Sequence, residues 1–345
     1  MNIWYDALTG KHVRYGTALA NRFRQQGHDV TLTTRKHPDT VELAKTLKEE
    51  FLVIGDYDPT SLHTRLDSSL ERMLKLSKLF EDNIPDVAIC SQSVDLCRVA
   101  FGLGIPILVT ADTIYAIAAN KLTLPLANTV ITSEAIPKRL FESFGAENIV
   151  QFKGVDEVAW IKDFKPSAKL DFKKPIIVVR QMETKAAYAL GKEDVTKTIA
   201  HKLSKFGTVL FLSRYDKQQS EGFVVIKQFV DSASLVAHAD LVIGVGGTIS
   251  REAALQGVPA IAIQEFGNPY VNEYVAKKGF PMFITTPSKV LQVAKKYLGK
   301  KWDIRQKLLG LENPVDIIEK KSKSWPSKSS TPPLHYLTNK KEMEL

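Results

Sequence analysis

The chain has 345 residues, 44% of them hydrophobic and 25% charged, enough for two domains that each bury a core. No apolar run approaches the roughly eighteen residues that cross a bilayer, and Met1-Asn2-Ile3-Trp4-Tyr5-Asp6 lacks the basic and apolar regions of a signal peptide. The formal charge of +9 is uneven: residues 289–345 hold 13 Lys and Arg against 6 Asp and Glu, so the body is near neutral. A solvated helix face and a loose tail explain this more simply than anionic lipid, and nucleic acid is not expected as a partner. Cys90 and Cys97 have no metal or redox spacing and read as small core residues of a protein in a reducing cytosol.

Apolar runs alternate with amphipathic ones along the chain, the pattern of a parallel α/β protein. In the first half, strands are expected at Asn2–Asp6, Asp29–Thr34, Phe51–Gly55, Val87–Cys90, Ile105–Thr110, Thr129–Thr132 and Ile149–Phe152. The longest helix falls between about Thr60 and Asn83. The pattern loosens near residue 165 and restarts at Pro175-Ile176-Ile177-Val178-Val179-Arg180, with later strands near Val209–Leu212, Val224–Ile226, Leu241–Ile243, Ala260–Ile263 and Met282–Ile284. The expected domains are therefore 1–165 and 166–320, with a flexible basic tail over 321–345 rich in Ser, Pro and Lys. Two basic helices are expected between Ser288 and Gly310, broken near Gly299.

One stretch, Asp240 to Gly267, carries a chemical signal. Leu241–Ile243 enters Gly244-Val245-Gly246-Gly247, a helix follows from Thr248 to Gln256, and Gly257 ends it. Glycines at such a turn leave backbone N–H groups open at a helix N-terminus, where phosphate is favoured. Thr248 can add a hydroxyl, and Glu252, one turn into the helix, can reach a ribose. A dinucleotide fingerprint would use Gly244, Gly246 and Glu265, but Ile249 stands where its third glycine belongs. A Walker loop is excluded because no Gly-Lys-Ser/Thr follows, and a tight turn without a ligand remains a reading.

The run Ala239–Ile243, Gly246-Gly247-Thr248, Glu252 and Gly257-Val258-Pro259 resembles the nucleotide-sugar site of GT-B glycosyltransferases. It is similar in particular to the MurG-type N-acetylglucosaminyltransferases and the non-hydrolysing UDP-N-acetylglucosamine 2-epimerases. Thr9-Gly10-Lys11-His12-Val13 and Gly27-His28-Asp29-Val30 resemble the opening of MurG. Over most of residues 1–300 the chain is similar to a largely archaeal family, domain of unknown function 354, sharing Leu122–Pro125, Thr132–Pro137, Gly154–Glu157 and Val178–Arg180. The resemblance implies two Rossmann-like parallel α/β domains, a ligand cleft between them, and a UDP-sugar as substrate with no separate cofactor.

It also implies roles for single residues. His12 is the candidate base for an acceptor hydroxyl; a solvent-facing histidine at a helix start explains it equally. Lys11 replaces a glycine of the MurG pattern. Asp112 can serve as base, orient His12, or cap a helix from Tyr115. Ser91 and Ser93 are candidate acceptor contacts. Arg180 and Arg214, each at or just past a strand end, can offset the charge on a departing diphosphate. Asp56-Tyr57-Asp58 spells a metal-binding pair, but Pro59 makes helix initiation the better reading, so no metal is expected. The expected activity is sugar transfer from a UDP-sugar to an unidentified acceptor. The alternatives are a UDP-sugar 2-epimerase, whose histidine-arginine motif is missing at Val179-Arg180-Gln181, and a non-catalytic nucleotide-binding protein. A peripheral contact with an anionic membrane is a further expectation for the basic end, weighed against simple packing.

Overall fold

Strands form at every expected run and all lie parallel. The first sheet contains β1 (Asn2–Ala7), β2 (Asp29–Lys36), β3 (Leu52–Asp56), β4 (Val87–Cys90), β5 (Ile107–Ala111), β6 (Thr129–Ser133) and β7 (Ile149–Phe152). The second contains β8 (Ile176–Arg180), β9 (Thr208–Leu212), β10 (Val224–Val225), β11 (Leu241–Gly244), β12 (Ala260–Ile263) and β13 (Met282–Thr285). This computed structural model describes residues 1–167, 171–182, 194–213, 221–227, 229–245, 247–264 and 269–323.

The first sheet runs β3-β2-β1-β4-β5-β6-β7 and the second β10-β9-β8-β11-β12-β13. In each, the chain builds outward on one side, then returns to the middle and builds the other way. Strand order therefore reverses between β1 and β4, and again between β8 and β11. Beyond the carboxyl ends of strands at such a reversal, open α/β sheets bind their ligands.

The chain divides into two compact units, Met1–Phe152 with the segment from Asn313 onward, and Lys153–Glu312. The division falls earlier than residue 165 for a chemical reason. Buried Glu157 Oε1 accepts from Arg251 Nε at 2.8 Å, and Trp160 Nε1 donates to Glu252 Oε1 at 3.0 Å, tying 157–160 to a helix of the second sheet. The helix Pro314–Ser322 belongs to the first unit, where Arg22 reaches Asp316 and Glu319 at 2.6 and 3.1 Å. The last two residues of this helix fall within the expected tail, which from residue 324 lies outside the described residues.

Central strands are buried on both faces: Trp4, Tyr5, Ile89 and Leu108 in the first unit, and Ile177, Val179, Leu241 and Ile243 in the second. Burying this apolar surface is the main stabilising contribution, about 25 cal/mol per Å² removed from water. The basic stretch forms the helices Val290–Tyr297 and Arg305–Leu309. Val290 and Ala294 join the second core, while Lys301 and Lys307 donate to the carbonyls of Ala239 and Gly279 at 2.6 and 2.9 Å. No helix among the described residues is long and apolar enough to cross a membrane.

Candidate functional site

The carboxyl edge of the first sheet is crowded with charge. Fully buried Asp6, near the end of β1, accepts from Arg72 Nη2 and Thr33 Oγ1 on one oxygen (2.6 and 2.7 Å). Its other oxygen accepts from Arg72 Nη1 and Ser93 Oγ (3.1 and 2.6 Å). Arg72 also reaches Asp95 Oδ2 at 2.8 Å, and Ser69 Oγ bonds Asp95 Oδ1 at 2.5 Å. Burial works against the Asp6 carboxylate, but Arg72 and these hydrogen bonds more than offset it and hold its pKa below the ordinary range.

Above this network, Thr9 caps the helix Gly10–Gln25, accepting from the His12 amide at 3.4 Å. Leu8 N–H donates to His12 Nδ1 at 3.3 Å, so the neutral ring carries its proton on Nε2. Burial, followed by the Lys11 ammonium, pushes the His12 pKa down to about 3. Such a ring is a poor base at neutral pH, where an efficient one titrates near the working pH. It is a good donor through Nε2–H. Lys11 Nζ lies 2.5 Å from Asp112 Oδ2, with the two side chains 13% and 25% exposed. Asp112 does not cap the next helix: Ile117–Thr123 has Ala116 at its N-cap with no side-chain bond, and Thr113 Oγ1 accepts from Tyr115 N–H at 3.2 Å.

Ser91 and Ser93 follow β4, across the reversal from β1. Ser91 Oγ bonds Thr110 Oγ1 at 2.6 Å and is 6% exposed. Ser93 is fully buried; it donates to Asp6 and accepts from Leu96 N–H at 3.3 Å. Ser93 therefore supports the core network, its hydroxyl bonded within the protein. Gln92, between them, takes φ 54 and bonds Asn120. A glutamine gives no sequence signal of that left-handed turn.

The second edge has the opposite character. β8 ends at half-buried Arg180, and beyond the reversal β11 ends at Gly244. Exposed Gly247 has φ 91 and ψ 176 at the N-cap of the helix Thr248–Ala254, with no side-chain cap bond. A Cβ built there would meet nothing within 4 Å, so the turn is open backbone with half-buried Thr248 beside it. Gly246, Arg214 and Glu265 lie outside the described residues.

Glu252 is placed differently from expectation. It is 1% exposed, its Oε1 accepts from Trp160 and its Oε2 from Ser232 Oγ at 2.9 Å. Both oxygens already accept a hydrogen bond within the protein. Trp160 stands 92 positions away in sequence, a separation that hides the pairing from sequence pattern alone.

Solved structures share this architecture from end to end. A Listeria monocytogenes protein assigned as a UDP-N-acetylglucosamine 2-epimerase matches with a TM-score of 0.68 at 12% identity, over 94% of this chain and 96% of that one. The Streptomyces sp. SF2575 glycosyltransferase SsfS6, solved with thymidine diphosphate, matches with a TM-score of 0.57 at 17% identity, over 94% and 100%. The two parallel sheets with their helices thus have the fold of GT-B glycosyltransferases. The chain belongs to the family described as Protein of unknown function (DUF354), which matches residues 1–324. It is 30% identical over 335 residues to Uncharacterized protein MJ0665 of Methanocaldococcus jannaschii, covering 92% of this chain and 96% of the other.

Proposed function

We propose that the protein is a glycosyltransferase-like enzyme that binds a UDP-sugar through its second unit and passes the sugar to an acceptor held by its first. The observation that carries the nucleotide half is the open turn at Gly247, placed at the strand-order reversal beside Arg180. Backbone N–H groups and the Thr248 hydroxyl would take the diphosphate, with Gly246 as a further candidate. Arg180 would offset charge on the departing UDP, with Arg214 as a second candidate cation. Glu252 supports the site from behind by fixing Trp160 and Ser232.

In the first unit, Asp112 is assigned the role of base by its place and its partners. A carboxylate beside Lys11 can take the acceptor proton, whereas the Nδ1 lone pair of His12 already receives the Leu8 N–H. His12 Nε2–H is left to orient the acceptor or the sugar, and Ser91 lies on the same edge. The match to the Listeria protein favours a second reading, epimerisation, which removes and returns the proton at C2 of the sugar. The protein should be incubated with UDP-N-acetylglucosamine in heavy water and followed by proton NMR. Transfer predicts UDP release with the C2 proton retained; deuterium at C2 would establish the epimerase instead.

A further inference from the structure

One cation on the first edge has no use in that scheme. Arg35 sits near the end of β2, opposite an irregularity in β3: Thr34 pairs with Val53 but Lys36 with Asp56, so Ile54 and Gly55 together face Arg35. Such a bulge bends a strand and re-aims the side chain across from it. The bulge is built by sequence, since Gly55 has φ 72 and a Cβ there would come within 2.9 Å of the Arg72 side chain. Arg72 Nε takes the Ile54 carbonyl at 2.8 Å.

The Arg35 guanidinium lies 3.8 Å from the centroid of the Tyr57 ring, and its Nε is buried with no hydrogen-bond partner. The acids nearby are already committed. All four oxygens of Asp6 and Asp95 accept from Arg72, Thr33, Ser93 or Ser69. Asp58 accepts from Thr60 N–H at 2.8 Å, and exposed Asp56 faces Lys36 at 3.9 Å. Arg72 with two carboxylates leaves a net negative charge that balances Arg35 at a distance, while none of these oxygens bonds its Nε. An arginine stays protonated under such conditions, so the half-buried side chain is a planar cation whose buried Nε–H is unmet. Its natural complement is a planar or tetrahedral oxyanion that bonds two N–H groups at once.

We propose that Arg35, stacked on Tyr57, is a subsite for an oxyanion group of the acceptor, a phosphate or a carboxylate. This rests on the reading of the first unit as the acceptor side. Burial of the guanidinium fits an anion that docks at Arg35 and bonds the unpartnered Nε–H. The acceptor would then be an anionic molecule, anchored by its charge so that a hydroxyl meets Asp112.

The test uses the full chain labelled with ¹⁵N-arginine, in which the Arg35 Nε–H resonance is assigned by its loss in Arg35→Lys. Inorganic pyrophosphate and citrate are titrated separately against chloride at matched ionic strength. A saturable shift of that resonance with pyrophosphate alone supports a phosphate subsite, and with citrate alone a carboxylate subsite. By calorimetry with the oxyanion that gives the shift, Arg35→Gln should weaken the binding at least about tenfold, and Arg24→Met, at the pair with Glu49, should not change it. No saturable shift with either oxyanion, or the same shift with chloride, overturns the proposal. UDP titrated into the same sample separates the two ideas. UDP binding without an oxyanion response at Arg35 removes the subsite alone, whereas an Arg35 response without UDP binding removes the transferase reading and leaves an anion site.

Discussion

The two carboxyl edges solve different problems with different materials. The first is made of side chains: Asp6, Arg72, Asp95, Lys11, Asp112, His12 and Arg35 crowd one end of a sheet. The second is made mostly of backbone, an exposed glycine turn with Arg180 at its side. Backbone N–H groups suit a group common to many ligands, such as a diphosphate, because they read charge and not identity. Side chains can be varied one by one and so suit an acceptor that differs between enzymes. Under the proposed function, specificity belongs to the first edge and donor capture to the second.

The contrast is sharpest in stability. Arg72 is 1% exposed and holds two carboxylates, so Arg72→Met should cost about 3–5 kcal/mol by leaving buried charge uncompensated. Arg24→Met, at a pair whose arginine is 41% exposed, should cost under about 1 kcal/mol. Urea denaturation of both variants checks this. Equal losses would mean that the first edge is not organised around Arg72.

Chemistry should divide the edges as well. Asp112→Asn is expected to slow UDP release from a UDP-sugar by about 10²–10⁴-fold, the usual worth of a positioned base, while UDP affinity stays unchanged. Gly247→Val should do the reverse. A side chain at φ 91 is strained and would cover the open turn, so UDP affinity should fall about tenfold or more while the circular dichroism spectrum is retained. If either variant altered both properties, the edges would not be functionally separate.

A separate effect concerns pH. Because the folded His12 ring titrates near 3 against 6.5 for the free group, the unfolded chain binds the extra proton between these values. Stability from this residue is therefore complete above about pH 6.5 and is lost as pH falls toward 3. His28 and His37 are lowered too, so the wild-type slope is shared. His12→Gln should flatten part of it, measured by thermal unfolding between pH 7 and 4, and an unchanged slope would mean that the ring is better solvated.

Much of this was readable from sequence where the signal is local. The apolar runs placed the strands, with β4, β7 and β12 falling on Val87–Cys90, Ile149–Phe152 and Ala260–Ile263, because a strand buried on both faces is written as a continuous hydrophobic stretch. The helix after the glycine turn was equally local. The rest depends on distant partners. Arg72 reads as one more charge on the long helix Leu62–Leu79, yet it meets Asp6 across 66 positions. Glu252 sits at the offset expected of a ribose ligand, and only Trp160 and Ser232 reveal that its oxygens are taken. The bulge that aims Arg35 follows from a mismatch of register between β2 and β3, which neither strand shows alone.

The claim that the second edge captures a nucleoside diphosphate is tested most directly by calorimetric titration of the full chain with UDP, UMP and uridine. A diphosphate site at Gly247 predicts that UDP binds tightest, UMP more weakly and uridine weakest, with Gly247→Val erasing most of the difference. Equal affinity for the three, or tighter binding of NADH than of UDP, would contradict it.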